Sequence, residues 1–187
     1  TPAYLQRHLD VLNSAAAVVL DQHTGELKAI VGSRDVPTTQ KSLNRAYQSR
    51  MPVGSSIKPI TVYGPAFDAG CGLGTIIENI PVAIPGWGTA AGYPKTSTGT
   101  YGPTPIRTGI VKSLNIVAAR TLMTKVGIEN SYNYLVNLGV STKALNADGV
   151  GLALGTSGIT VIEMAGAYGC IANGGTYLEP LSFSKVV

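Results

Sequence analysis

The stretch Pro52-Val53-Gly54-Ser55-Ser56-Ile57-Lys58-Pro59-Ile60 decides how this chain is read. Pro52-Val53-Gly54 is a break. Beyond it Ser56, Ile60, Tyr63 and Phe67 recur at steps of four, three and four, with Ile57 and Ala66 beside them, until Gly70 closes the run. That is the spacing of one helix face. Proline is tolerated in the first turn of a helix, where no intrahelical donor is lost, so Pro59 puts the helix start close to Ser55 or Ser56. A serine three residues before a lysine on such a helix shares its face. At the N-terminus the free N–H groups and the helix dipole stabilise negative charge developing on the serine. A lysine buried in the same cleft loses favour for its charged form, its pKa falls, and it can take the serine proton. The competing reading of Ser55 is an ordinary N-cap.

The spacing alone is common, and Ser182 and Lys185 match it too. That pair lies in an alternating, strand-like stretch where residues three apart face opposite sides, and it is set aside. A second element supports the first. Ser113-Leu114-Asn115 follows Arg107 in a region read as helical, or at a break in it. Its hydroxyl and carboxamide face a cleft together only if the backbone departs from an ideal helix there. A serine so placed can relay a proton to a leaving amine, and the amide can hold a substrate carbonyl. Ser131-Tyr132-Asn133 carries the same letters, but it opens a helix with no evident partner, and a cap role suits Ser131 better.

Outward from these motifs, Ala15 to Leu20 and Glu26 to Val31 flank the turn Asp21-Gln22-His23-Thr24-Gly25 and read as a β-hairpin. Positions 34–41 read as a loop. Ile80 to Pro103, rich in Gly, Pro, Thr and Ser, reads as a long irregular segment. Its Trp87, Tyr93 and Tyr101 either line a groove or anchor the loop on the core. Helices are expected over Thr104–Gly127, with Thr104 or Thr108 as cap, over Asn130–Leu138, and over Ile159–Asn173. The last presents Ile162, Met164, Ala165 and Tyr168 as its apolar spacing and stops at Gly174-Gly175. From Tyr177 onward the pattern returns to strand. Hairpin, helices, then strand is the order of an α+β fold.

Composition fits one globular domain. The 187 residues are 44% hydrophobic and 13% charged, with 23 glycines, which favours a buried core and excludes disorder. The net charge of +4 suits anionic surfaces such as cell-wall polymers or lipid head groups, or simply a mildly basic exterior. No Lys/Arg run forms a patch, so no nucleic-acid partner is expected. No apolar stretch approaches the ~20 residues of a membrane span. Cys71 and Cys170 lack CxxC spacing and read as two free thiols or one disulfide. His8 and His23 are isolated, and no metal or cofactor is expected. The chain starts Thr1-Pro2 and is read as an excised domain of a longer protein.

The Ser55–Lys58 and Ser113–Asn115 pairs together resemble the serine penicillin-recognising enzymes, whose third element is Lys-Thr-Gly on a strand. More specifically, the chain is similar to the transpeptidase domain of class A, bifunctional penicillin-binding proteins. The similar segments include Asp21-Gln22-His23-Thr24-Gly25-Glu26, Ala29-Ile30-Val31-Gly32, Asn44-Arg45-Ala46, Pro52 to Pro59, Ser113-Leu114-Asn115, Leu152-Ala153-Leu154-Gly155, Glu163-Met164-Ala165 and Ala172 to Tyr177. The resemblance implies a penicillin-binding protein/serine β-lactamase-like fold, an antiparallel sheet flanked by helices. It implies Ser55 as nucleophile on the D-alanyl-D-alanine end of a peptidoglycan stem peptide and Lys58 as its base. Ser113 would be the proton shuttle and Asn115 the group orienting Lys58 and the substrate amide. It also implies acylation by β-lactams and a membrane-anchored parent working on the extracytoplasmic face of the bacterial membrane.

One departure matters. No Lys-Thr-Gly run occurs. Lys95-Thr96-Ser97-Thr98-Gly99 resembles it only in letters and precedes Ser113. The chain is therefore expected to supply the N-terminal and central part of the domain, positions 1–187, with the C-terminal segment as a missing partner. Two alternatives share these motifs: a non-catalytic penicillin- or peptide-sensing module, and a class B transpeptidase or β-lactamase-like hydrolase.

Overall fold

The computed structural model describes residues 15–34, 40–81, 83–84, 94 and 102–183. In chain order they form β1 (Ala17–Leu20), β2 (Leu27–Val31), α1 (Arg45–Gln48), β3 (Met51–Pro52), a helix in three parts ending in α2 (Gly64–Asp68), β4 (Ile76–Asn79) and β5 (Gly102–Pro105). There follow α3 (Ile106–Val111), α4 (Asn115–Thr121), α5 (Ile128–Asn137), α6 (Gly149–Leu154), β6 (Gly158–Ile159) and α7 (Val161–Ala172). Helices and antiparallel strand pairs make the expected α+β composition. Among the described residues the strands pair two by two rather than in one continuous sheet. The residues divide into two compact units.

The first unit holds the hairpin and α7. β1 and β2 pair antiparallel, Ala17 opposite Val31 and Val19 opposite Ala29. The turn closes as expected: the Asp21 carboxylate accepts from the His23 and Thr24 N–H groups at 2.9 and 3.2 Å. Helix α7 opens on a capping box in which Thr160 and Glu163 satisfy each other's backbone N–H. The same Glu163 carboxylate accepts from both terminal guanidinium nitrogens of Arg50, Nη1 and Nη2, each at 2.9 Å. The helix span matches the expectation, but its buried face does not. Gly166, Ala167 and Cys170 are buried, while Tyr168 is 39% exposed. Small residues form that face because other chain segments come close: Gly166 lies against Tyr177 and Pro180, and Gly169 against Leu20. The strand expected from Tyr177 onward is reduced, in the described residues, to a parallel bridge between Glu26 and Leu181. Ser184 to Val187 lie outside the described residues, as do Lys95 and the aromatics Trp87, Tyr93 and Tyr101.

The second unit holds the helix of the opening motif, the β4–β5 pair and α3 to α6. The helix over Gly54–Asp68 begins where Pro59 demands. It runs as a 3₁₀ turn (Gly54–Ile57), a wide π segment (Pro59–Tyr63) and α2. Pro65 lacks the N–H that an α-helix would send to the Thr61 carbonyl. The buried Ser131 hydroxyl fills that place at 2.7 Å. Ser131 is thus an interior residue of α5 and not its cap. The Thr61 hydroxyl donates to the Leu152 carbonyl at 2.6 Å and lies 3.0 Å from that of Ile57, fastening α6 to the π segment. Ile57, Ile60, Ile116, Leu122, Leu135 and Leu152 form the core around these bonds.

The helix expected from Thr104 starts later. Residues 102–105 form β5, antiparallel to β4 with Ile77 opposite Thr104. Pro103 and Pro105 are compatible with a strand because of register. Ile106 N–H donates to Thr75 O, which fixes Thr104 and Ile106 as the inward-bonding positions. The proline nitrogens then point away from β4, where no donor is needed. Helix α3 follows with Pro105 at its N-cap and no side-chain cap from Thr104 or Thr108. Cys71 and Cys170 are free thiols.

Candidate active site

The site is built by one departure from helical geometry. α3 ends at Val111, and three bonds close it: Lys112 N–H to Thr108 O at 3.0 Å, Ser113 N–H to Ile110 O at 3.1 Å, and Leu114 N–H to Gly109 O at 2.9 Å. This is the Schellman pattern, and Ser113 occupies its left-handed position, usually glycine, with φ 50°. A left-handed non-glycine residue costs roughly 1–2 kcal/mol. Leu114, the next residue, is buried, and Asn115 opens α4 at once. The reversal brings a hydroxyl and a carboxamide two residues apart to one side, which a continuous helix over 104–127 could not do. α4 packs back closely on α3, since a Cβ on Gly109 would lie 2.5 Å from a Val117 methyl.

Both groups meet Lys58. Its ammonium donates to the Ser113 carbonyl at 2.8 Å, the Ser113 hydroxyl at 3.2 Å and the Asn115 carboxamide oxygen at 2.6 Å. All three partners are neutral oxygens, and Lys58 is only 2% exposed. Burial without a countercharge lowers its pKa to about 8.

Ser55 sits in the 3₁₀ turn and is exposed. With three residues per turn, positions i and i+3 eclipse, so Ser55 and Lys58 share a face. The neighbouring Ser56 hydroxyl donates to the Val53 carbonyl at 2.6 Å. Among the described residues no hydrogen bond joins the Ser55 hydroxyl to Lys58, Ser113 or Asn115. The structure thus assembles Lys58, Ser113 and Asn115 by direct contact and puts Ser55 on the same helix face, open to solvent. Two supports escaped motif reading: the Thr61 grip on Leu152, and Gly155, whose carbonyl accepts from the Gly54 N–H at 2.9 Å. Carbonyl acceptors leave no mark in sequence. A glycine closing a short helix was the available signal for Gly155.

Among the described residues no helix is long and apolar enough to cross a membrane. The family model for the penicillin binding protein transpeptidase domain matches residues 15–187. Penicillin-binding protein 1A of Haemophilus influenzae is 36% identical over 174 residues, 92% of this chain and 20% of that protein. Its counterpart in Clostridium acetobutylicum is 36% identical over 196 residues, 99% of this chain and 24% of that protein. The solved structure of the Haemophilus influenzae protein superposes with a TM-score of 0.79 at 35% identity, over 90% of this chain and 25% of that one. PonA1 of Mycobacterium tuberculosis, solved with penicillin V, shares the fold at a TM-score of 0.74 and 24% identity, over 94% of this chain and 48% of that one. The chain spans about a quarter or less of the length of these 1A relatives, within the class A resemblance its motifs carry. A match from the hairpin to the last residue, together with the Lys58–Ser113–Asn115 cluster, means that the chain belongs to the penicillin-binding protein transpeptidase domain family.

Proposed function

We propose that these residues supply the acylating side of a peptidoglycan D,D-transpeptidase site, in a class A protein anchored at the extracytoplasmic face of the membrane. The observation that carries this reading is Lys58: a buried lysine with pKa about 8, held by Ser113 and Asn115 on the helix face of an exposed serine. At pH 7 such a lysine is neutral in about one molecule in ten, against a few in ten thousand for a free one.

Ser55 Oγ attacks the penultimate D-alanine carbonyl of a stem peptide, and its proton passes to neutral Lys58. The ammonium so formed has three donors for three acceptors. When neutral it has two donors and a lone pair. The Ser113 carbonyl and the Asn115 oxygen only accept, so they keep the two N–H groups. The Ser113 hydroxyl, the longest of the three contacts, is the one released, which leaves the lone pair for the Ser55 proton; once the ammonium forms, Ser113 Oγ accepts its third N–H and its own O–H is free to donate. That makes Ser113 the carrier of the proton to the leaving D-alanine amine, and Asn115 the group that orients Lys58 and the substrate amide. An amine from a neighbouring stem then resolves the acyl-enzyme and forms the cross-link. β-Lactams acylate Ser55 in place of the stem peptide. The Ser55 N–H supplies one donor to the oxyanion, about 3–4 kcal/mol in other acyl-transfer enzymes.

The domain's Lys-Thr-Gly segment has no counterpart in residues 1–187. We place it in a further segment that completes the sheet, adds the second oxyanion donor and recognises the substrate carboxylate. Intact mass after incubation with penicillin tests both points. The full-length protein gains one adduct and its Ser55→Ala variant none, while the 187-residue chain alone stays unlabelled. Robust labelling of that isolated chain would sink the idea of a shared site, and an adduct on Ser55→Ala would sink the nucleophile.

A further inference from the structure

Helix α6 ends on Gly155, whose backbone is left-handed at φ 76°. It lies directly on the turn that carries Ser55. Besides the bond from Gly54 N–H to Gly155 O, a Cβ on Gly155 would fall 2.0 Å from the Gly54 carbonyl oxygen and 2.6 Å from both its carbon and its nitrogen. These are backbone atoms, which cannot swing aside as the end of a side chain does.

The peptide joining Gly54 to Ser55 is planar, and in the trans form its C=O and N–H point opposite ways. Gly155 occupies the carbonyl side. The Ser55 N–H therefore points away from α6, and as a first-turn donor it has no acceptor within its helix. The second attachment, Thr61 hydroxyl to Leu152 carbonyl, lies beyond Lys58 on the same helix. α6 thus holds the Ser55–Lys58 helix on both sides of that pair.

We infer that Gly155 is a positioning residue for acylation: its bare Cα sets the rotation of the Gly54–Ser55 peptide and so aims the Ser55 N–H at the substrate carbonyl oxygen. This rests on the reading of Ser55 as nucleophile. As the bond from Ser55 Oγ to the carbonyl carbon forms, the carbonyl π pair moves onto oxygen, and the aimed N–H meets that charge. A side chain at 155 would turn the peptide and misdirect the donor, leaving Lys58 and its partners in place.

The test compares Gly155→Ala and Gly155→Asn with Gly127→Ala in the full-length protein, reading the rate of fluorescent-penicillin acylation and its pH profile. Gly127, at φ 83° and ψ 152°, lies in a region less open to side chains than that of Gly155 and has open space where a Cβ would go, so it carries at least as much backbone strain without the contact. Asn tolerates the left-handed region better than Ala and retains the clash. Both Gly155 variants are expected to acylate about 10²–10³-fold more slowly, the effect of losing one oxyanion donor. Their pH midpoint stays at the wild-type value, and Gly127→Ala reacts like wild type. Near-wild-type rates for a folded Gly155 variant would overturn the inference. A moved midpoint would overturn it too, by tracing the effect to Lys58. If neither Gly155 variant folds while Gly127→Ala does, Gly155 serves the fold alone and the inference also fails. Labelling of Ser55→Ala, by contrast, would remove the underlying nucleophile.

Discussion

Ser113 allows strain and chemistry to be separated at one position. Its left-handed backbone (φ 50°) completes the Schellman closure of α3, and its hydroxyl accepts from Lys58. Ser113→Ala and Ser113→Gly remove the same hydroxyl, so both lose the proposed proton carrier and are expected to acylate about 10²–10⁴-fold more slowly. Their stabilities differ. Alanine keeps the left-handed cost of roughly 1–2 kcal/mol, which glycine does not carry. Glycine adds about 0.5–1 kcal/mol of unfolded-chain entropy. The loss of the Lys58 contact is common to both and cancels. Ser113→Gly should therefore be the more stable by up to about 1.5 kcal/mol, or up to about 6 °C in Tm for a domain of this size. In a helix interior the same comparison favours alanine by about 1 kcal/mol. Thermal and urea unfolding of the two variants in parallel provide the assay. A Ser113→Ala protein as stable as Ser113→Gly, or more so, would refute the strain argument, whatever the acylation rates.

Lys58 gives a pH signature of known sign. Acylation should rise about tenfold per pH unit below about 8 and level off above it, as the lysine becomes neutral. Its folded pKa lies below the unfolded 10.5, so between about 8 and 10.5 the unfolded chain binds more protons and stability rises with pH. Unfolding of wild type against Lys58→Met over that window isolates the term at roughly 1.4 kcal/mol per unit, and a difference that falls or stays flat contradicts it. In the other unit, Glu163→Gln weakens the bidentate Arg50 pair and the capping box at once. It should cost about 2–3 kcal/mol, against about 1 kcal/mol for Thr160→Ala, which loses only the cap. Equal losses in denaturant melts would show that Arg50 adds nothing.

The hairpin was legible because two apolar runs flank a turn whose aspartate can bond its own backbone. The span of α7 was legible from its stop at Gly174-Gly175, and the start of the Ser55 helix from Pro59. The rest depended on partners distant in sequence. Pro103 and Pro105 argue against a strand until register shows their nitrogens turned away from β4. The break at Ser113 has no glycine to announce it, so the local pattern leaves a continuous helix and a break both open, and only the chemistry of the Ser113–Asn115 pair asks for the break. Tyr168 looked inward by spacing, yet the close approach of neighbouring chain to Gly166 and Gly169 buries small residues instead. Ser131 reads as a cap because nothing local reveals that Pro65, 66 positions earlier, leaves the Thr61 carbonyl short of a donor. For the site, both motifs were readable, and with them the lysine proposed as base. The arrangement that lowers the lysine pKa was readable only in outline, since one of its three acceptors is a main-chain carbonyl.

Helix α6 grips the Ser55–Lys58 helix through two main-chain carbonyls, of Leu152 and Gly155, and through no polar side chain of its own. What must be inherited at this place is a path of the chain and not an alphabet of residues. Leu152 and Ala153, both fully buried, accept only changes that keep their volume, whereas Gly151, where a Cβ would fall 2.7 Å from that of Asn146, and Gly155 accept no side chain.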